Sequence, residues 1–339
     1  MKKLALTFFF ASFVLSFSIA HAQVPSSVDG IDMTITPQNP VPGKNVEINL
    51  QDYLSDISSA YITWVVNGQK ITEGIGKNDI NLTAPALGKE SNVTILIQTQ
   101  DGKTIQKSVV IKSGSVDMVW ESQGYVPPLF QGKQNFAYEN AVKIIAMPHL
   151  ADSSGKEINP SNLVYSWTQD YTALQNQSGY GKQSIIINGS VIPRPTTIRV
   201  SVSTRDGSET TSGVITLQAG SPSLVFYKDD PLYGVLYNLA LGAQTTFSNQ
   251  EITLLATPYS FSLPSLTNNS LQYGWTINGS SQSNLSKNRS VTLRVEDTSN
   301  AADYPVQLQL QNMREILQGA TNAITVTFEA NKNNNAISL

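Results

Sequence analysis

Three stretches decide the fold: Tyr61-Ile62-Thr63-Trp64-Val65-Val66-Asn67-Gly68, Leu163-Val164-Tyr165-Ser166-Trp167-Thr168 and Leu271-Gln272-Tyr273-Gly274-Trp275-Thr276-Ile277-Asn278-Gly279. Each is a short alternating run around one tryptophan, and two of them end in Asn-Gly, the dipeptide that supplies the positive φ angles of a tight hairpin. The tryptophans lie 103 and 108 positions apart (167 − 64 and 275 − 167), each about the length of one sandwich domain. A repeat of that period is the first thing to settle in a chain of 339 residues.

Other elements keep register with the tryptophans. Downstream come Ile80/Leu82, Ile185/Ile187 and Val291/Leu293, then the alternating runs Val93-x-Ile95-x-Ile97, Ile198-x-Val200-x-Val202 and Val306-x-Leu308-x-Leu310. Turns follow at Asp101-Gly102, Asp206-Gly207 and Asn312-Met313. Upstream, each copy opens with an apolar strand: Val46-x-Ile48-x-Leu50, Val142 to Ala146, and Ile252 to Ala256. Side chains alternate across a strand, so one face of each sheet is apolar and must be buried against a second sheet. The expected architecture is all-β: three tandem immunoglobulin-like antiparallel sandwiches, with Trp64, Trp167 and Trp275 at the centres of their cores. The expected divisions are 23–114, 115–220 and 221–330, with a polar tail at 331–339.

Residues 1–22 have the parts of a secretory signal: Lys2 and Lys3, an apolar run from Leu4 to Ala20, then Ala20-His21-Ala22 ahead of Gln23. The competing reading of this run is an uncleaved anchor. Cleavage predicts export to the periplasm, the cell surface or the medium, with no membrane span in the mature chain. Without Lys2 and Lys3 the chain carries 20 basic against 25 acidic residues, a formal charge of −5, and it has no Lys/Arg cluster to neutralise phosphates. Nucleic acid is therefore not an expected partner. There is no cysteine, so each domain must fold on its apolar core without disulfides, and no thiolate metal site exists.

The first repeat opens with Thr36-Pro37-Gln38-Asn39-Pro40-Val41-Pro42-Gly43-Lys44-Asn45-Val46 and proceeds to Tyr61-x-x-Trp64 and Asn67-Gly68. This resembles the Ig-like and PKD-like domains of bacterial surface and secreted proteins, with Asn-Gly standing where PKD sequences have Gly-Asp-Gly. The resemblance implies a structural or adhesive module, or a spacer in a larger secreted machine.

The inventory for catalysis is thin. His149 is the one histidine beyond the signal, no Gly-x-Ser-x-Gly elbow occurs, and Tyr259 stands at the matching place in the third repeat, so a packed imidazole at a strand end is the expectation. Asp229-Asp230 and Glu296-Asp297 are close acid pairs, but neighbours on a strand point to opposite faces and do not make a facing carboxylate pair. The Asp-x-Asp-x-Asp-Gly spacing of a calcium loop is missing, as is a phosphate-cradling glycine loop. The sequence calls for no cofactor and no metal.

One departure from the minimal sandwich stands out. From the first apolar residue to the opening strand is 13 positions in the first repeat (46 − 33), but 26 in the second (142 − 116) and 28 in the third (252 − 224). These longer leaders hold Trp120, Tyr125, Phe130, Tyr233 and Tyr237, the candidate binding surface. Planar rings bury much area at low entropic cost, which suits them to a protein partner or to stacking on a surface polysaccharide. The competing reading has the leaders covering a sheet edge or packing against the preceding domain. The sequence thus reads as an exported structural or interaction protein. A carbohydrate-binding array is the alternative, and a hydrolase with an unrecognised carboxylate site comes after it. Oligomeric state is left open.

Overall fold

The computed structural model describes residues 30–52, 57–297 and 299–330. The expected signal at 1–22 and tail at 331–339 lie outside the described residues. Among the described residues strands predominate, with short 3-10 turns between some of them, and no described helix is long and apolar enough to cross a membrane.

Six sheets form three pairs, one pair per tryptophan repeat. In the first, Ile31–Thr36, Asn45–Asp52 and Asp79–Thr83 form a three-stranded sheet, while Gln69–Ile75, Tyr61–Val66, Glu90–Gln98 and Thr104–Lys112 form a four-stranded one. In the second, Ser184–Asn188, Ala141–His149 and Ser115–Ser122 accompany a sheet built on Val164–Gln169, Thr196–Ser203 and Thr210–Leu217. In the third, Gly234–Ala240, Ser223–Asp230, Glu251–Tyr259 and Ser290–Arg294 accompany a sheet ordered Gln244–Phe247, Gly319–Phe328, Ala302–Asn312, Leu271–Ile277, Ser280–Ser281. Gln244–Phe247 runs parallel to the end of the last strand and Ala137 forms an isolated parallel bridge with Gly220, whereas pairs such as Ser115–Ser122 with Ala141–His149 are antiparallel. The chain divides into two compact units, and the second and third sandwiches both belong to the unit that contains residues 110–339.

Alternation explains the cores. Val46, Ile48 and Leu50 are buried while Glu47 and Asn49 stay out, and Val142, Ile144 and Ala146 repeat the pattern. The three tryptophans are fully buried. They also hold equivalent places in the ladders, Trp64 opposite Ile95, Trp167 opposite Val200 and Trp275 opposite Leu308. Each indole N–H donates to a backbone carbonyl just ahead of the short strand that follows: Trp64 to Lys77 at 2.7 Å, Trp167 to Lys182 at 2.8 Å, Trp275 to Asn288 at 2.8 Å. A buried N–H without a partner is costly, so this bond fixes where the connection after the tryptophan strand must pass. The Asn-Gly turns adopt positive φ at both residues, 51° and 80° at Asn67-Gly68, 50° and 75° at Asn278-Gly279, as the hairpin requires.

Removing the second core's anchor separates these contributions. Trp167→Ala is expected to cost about 3–5 kcal/mol through lost burial and the cavity left behind. Trp167→Phe keeps an aromatic ring but strands the Lys182 carbonyl, costing about 1–3 kcal/mol. Urea unfolding followed by circular dichroism measures both; a Phe variant as stable as the parent would show the indole bond to be idle.

Candidate interaction surface

The leader of the second sandwich leaves the strand Ser115–Ser122 and lies against the third sandwich, within the same compact unit. The reason is in the backbone: the Tyr125 N–H donates to Phe261 O and the Ser260 N–H to Tyr125 O, both at 2.7 Å, and Gly124 bridges to Ser262. A strand-like pairing thus joins the leader to the chain just past Glu251–Tyr259, a contact with the following domain that the sequence reading did not include. Pro127-Pro128-Leu129-Phe130 then makes a tight turn, with Phe130 N–H donating to Pro127 O at 3.3 Å and Leu129 in the left-handed region at φ 65°.

The candidate rings are divided between packing and solvent. Trp120 packs partly buried against the second core, edge-on to Phe136 at 6.4 Å, with the Lys133 ammonium 3.8 Å above its ring. Tyr237 meets Tyr227 edge-on at 5.2 Å, Phe130 meets Tyr259 edge-on at 5.9 Å, and the Tyr227 and Tyr259 hydroxyls bond one another. Burial pushes the pKa of Tyr125 up, the neighbouring Tyr237 adds to this and Arg289 opposes it. Desolvation likewise raises Tyr259. Trp120, Tyr125 and Tyr237 therefore take part in packing, Phe130 is partly exposed beside Tyr259, and Tyr233, 78% exposed, faces solvent. The five rings are not a coplanar exposed row of the kind that stacking on a sugar chain needs.

Below the rings runs a buried polar seam that the sequence did not announce. Gln318, fully buried, donates from Nε2 to Tyr138 O and Asn140 Oδ1, each at 3.0 Å. Its Oε1 accepts from the Ser262 N–H at 2.9 Å and from Asn312 Nδ2 at 3.2 Å. Asn140 Nδ2 donates to Ser260 O at 2.6 Å, and Glu139 accepts the Leu317 N–H at 2.7 Å. Asn312 stands where its strand ends and the turn that closes the Ala302–Asn312/Gly319–Phe328 hairpin begins, as its Asn-Met dipeptide suggested. It is buried at a strand end, and its Oδ1 accepts from the Arg314 and Glu315 N–H groups. Only the charge pattern of Glu139 sets any of these residues apart in sequence; Asn140, Asn312 and Gln318 look like the many other amides of the chain.

The chemically able side chains are held in local pairs. His149 lies between Glu157, with Nδ1 to Oε1 at 2.9 Å, and Asp117, with Nε2 to Oδ2 at 3.3 Å. The hydrogen bond to Glu157, with a further one from Asp117, raises its pKa above the ordinary 6.5. Asp230 turns onto its own hairpin, pairing with Lys228 at 2.9 Å and accepting the Leu232 N–H, while Asp297 accepts from Ser299. Among the described residues no group of three or more His, Cys, Asp or Glu side chains is placed to hold a metal ion.

No family model matches the chain, and no curated protein matches it. Among solved structures it is similar to the three N-terminal domains of the highly immunogenic outer capsid protein (Hoc) of bacteriophage RB49, over 89% of this chain and 99% of that one, at 12% identity and a TM-score of 0.26. The central fibronectin-III array of RIM-binding protein is similar over 88% and 96%, at 10% identity and a TM-score of 0.28. The SGBP-B protein of the Bacteroides ovatus mixed-linkage glucan utilization locus, solved with a mixed-linkage heptasaccharide, is similar over 88% and 70%, at 15% identity and a TM-score of 0.22.

Two outcomes test the surface. Gln318→Leu, which leaves Asn140, Tyr138 and Ser262 without their partner, is expected to destabilise the second compact unit by about 3 kcal/mol in urea unfolding. For His149, the raised folded pKa means that its ion pairs add stability that is fully present below the ordinary 6.5 of a free imidazole. That stabilisation is lost as pH rises through the raised pKa. The melting-temperature gap between parent and His149→Gln should close accordingly; an imidazole that titrates by NMR at or below 6.5 would contradict the assignment.

Proposed function

We propose that the chain is an exported, non-catalytic structural and interaction protein, a signal at 1–22 followed by domains at 23–114, 115–220 and 221–330, which holds its second and third sandwiches in one fixed geometry. The observation that carries this reading is the buried Asn140–Gln318–Asn312 seam. Neighbouring sandwiches on a short connection ordinarily move relative to one another. A buried amide network permits little such motion, because any shift leaves donors and acceptors unpaired in a dry interior. The leader rings add apolar area beside the seam, with Tyr125 and Phe130 of the second sandwich against Tyr237 and Tyr259 of the third. Rigidity of this kind suits a spacer or scaffold that presents edges and loops to another protein or a surface polymer. The sugar-binding alternative would rest on Tyr233 and on the exposed part of Phe130, since Trp120, Tyr125 and Tyr237 are engaged in packing and Phe130 also meets Tyr259.

A chain without cysteine allows paired spin labels to be placed freely. Labels at Ala173→Cys and Ser281→Cys, both exposed on short strands of the two sandwiches, should report a narrow distance distribution that broadens on Gln318→Ala. An equally broad distribution in both proteins would remove the fixed-geometry reading.

A further inference from the structure

The third sandwich shows solvent a sheet face unlike those of the other two repeats. Its five-stranded sheet buries Trp275, Leu308 and Ile324, so the residues that alternate with them point outward. These stand in rows across the strands: Gly274 opposite Gln309 and Thr321, then Thr276 opposite Gln307 and Ala323. No residue from 272 to 276, from 305 to 311 or from 321 to 325 is charged. The corresponding sheets of the first and second repeats carry charge there, with Glu73 opposite Thr63 and Arg199 opposite Thr168. Gln307 and Gln309 are exposed, and a hollow of about 300 Å³ lies against Gln307, Thr276, Ala323 and Thr325, a volume at the lower end of ligand sites. The neighbouring Gln311 donates to Ile316 O at 3.0 Å, whereas the amides of Gln307 and Gln309 are free of any bond among the described residues.

Gly274 sets this face apart again. A glycine inside a strand costs stability, and here neither backbone nor packing asks for one. Its φ is not left-handed and the register around it is unbroken. A Cβ at this position would meet Gln309 O at 3.4 Å and Gln309 Cβ at 3.8 Å, which is ordinary contact. Thr63 and Ser166 stand at the same place in the other repeats, one residue before the tryptophan. The missing side chain keeps the row low beside Gln309, as a strand does where a ligand approaches its main chain.

We infer that this face is a binding site for a neutral polysaccharide. The occupant follows from the chemistry of the face. Sugar hydroxyls both donate and accept, and a carboxamide offers donors and an acceptor together. Nucleic acid would need cations opposite its phosphates, and a stable protein interface would need apolar or aromatic anchors; the outward residues supply neither. Such a site rests on the reading of the chain as an exported interaction protein and deepens it by naming the class of surface polymer. Polysaccharides that fail to bind while the spin-label distances stay narrow would remove the site and leave the fixed-geometry reading standing.

Native electrophoresis of the full chain through gels containing soluble polysaccharide tests it, with a β-glucan, a mannan and dextran as neutral probes and alginate as the charged one. At least one neutral probe is expected to retard the parent. Gln307→Ala with Gln309→Ala should weaken that binding about tenfold. Gly274→Thr should weaken it as much while melting no lower than the parent, because threonine suits a strand better than glycine. A purely structural glycine would not separate the two readouts. Tyr171→Ser, which removes an exposed ring of the second sandwich, should leave binding unchanged. A parent that no neutral probe retards, retardation by alginate alone, or undiminished binding in either the double glutamine variant or Gly274→Thr would overturn the inference. So would a Gly274→Thr protein that melts well below the parent, or binding that is lost in Tyr233→Ser, which would put the sugar on the hairpin tip instead.

Discussion

Each sandwich closes around an indole N–H that must find an acceptor inside an apolar core. The ring fills the space between two sheets, and its one polar atom has a single available solution, a main-chain carbonyl of the connection that leads to the next short strand. That bond spans 13 residues in the first and third repeats and 15 in the second. The two extra residues of the second repeat are absorbed by the connection, while the carbonyl still arrives at the indole. Much else follows from this constraint: the strand order, the position of the hairpin turns, and a core that closes without a disulfide in a chain that has no cysteine.

A different physics joins the second sandwich to the third. Apolar packing alone tolerates sliding, because it is non-directional. Amides do not tolerate it, since Gln318 has donors and acceptor all engaged at once, with partners on three segments, Tyr138 and Asn140 on one, Ser262 on another and Asn312 on a third. Polar groups buried in this way cost desolvation, and they return it only in one arrangement. The seam therefore adds specificity of orientation more than it adds stability.

The leaders show how one repeat element serves two situations. After Ser115–Ser122 the extra residues reach the neighbouring sandwich and pair with it. After Ser223–Asp230 they fold back as Gly234–Ala240 along the edge of their own sheet, with an irregular register between Tyr227 and Asp229. That irregularity coincides with the place where Tyr237 turns onto Tyr227. An edge strand shaped in this way is less open to pairing with other chains along its length, and exposure is concentrated at the Leu232–Tyr233 tip.

The sequence by itself determined the all-β class, the threefold repeat and its period, the three core tryptophans, and the Asn-Gly hairpins. All of these are local or periodic properties, set by side-chain alternation and by the few residues that accept positive φ. It also marked the leaders as unusual, through length and aromatic content alone. Only the tertiary structure decided which rings are packed and which are exposed, that the second leader pairs with the third sandwich, and that Asn140, Asn312 and Gln318 form one network. The physical reason is that a buried amide is chosen by what lies opposite it. Asn140 and Gln318 are 178 residues apart, and nothing in the local pattern of either distinguishes a solvated amide from one on which a junction depends.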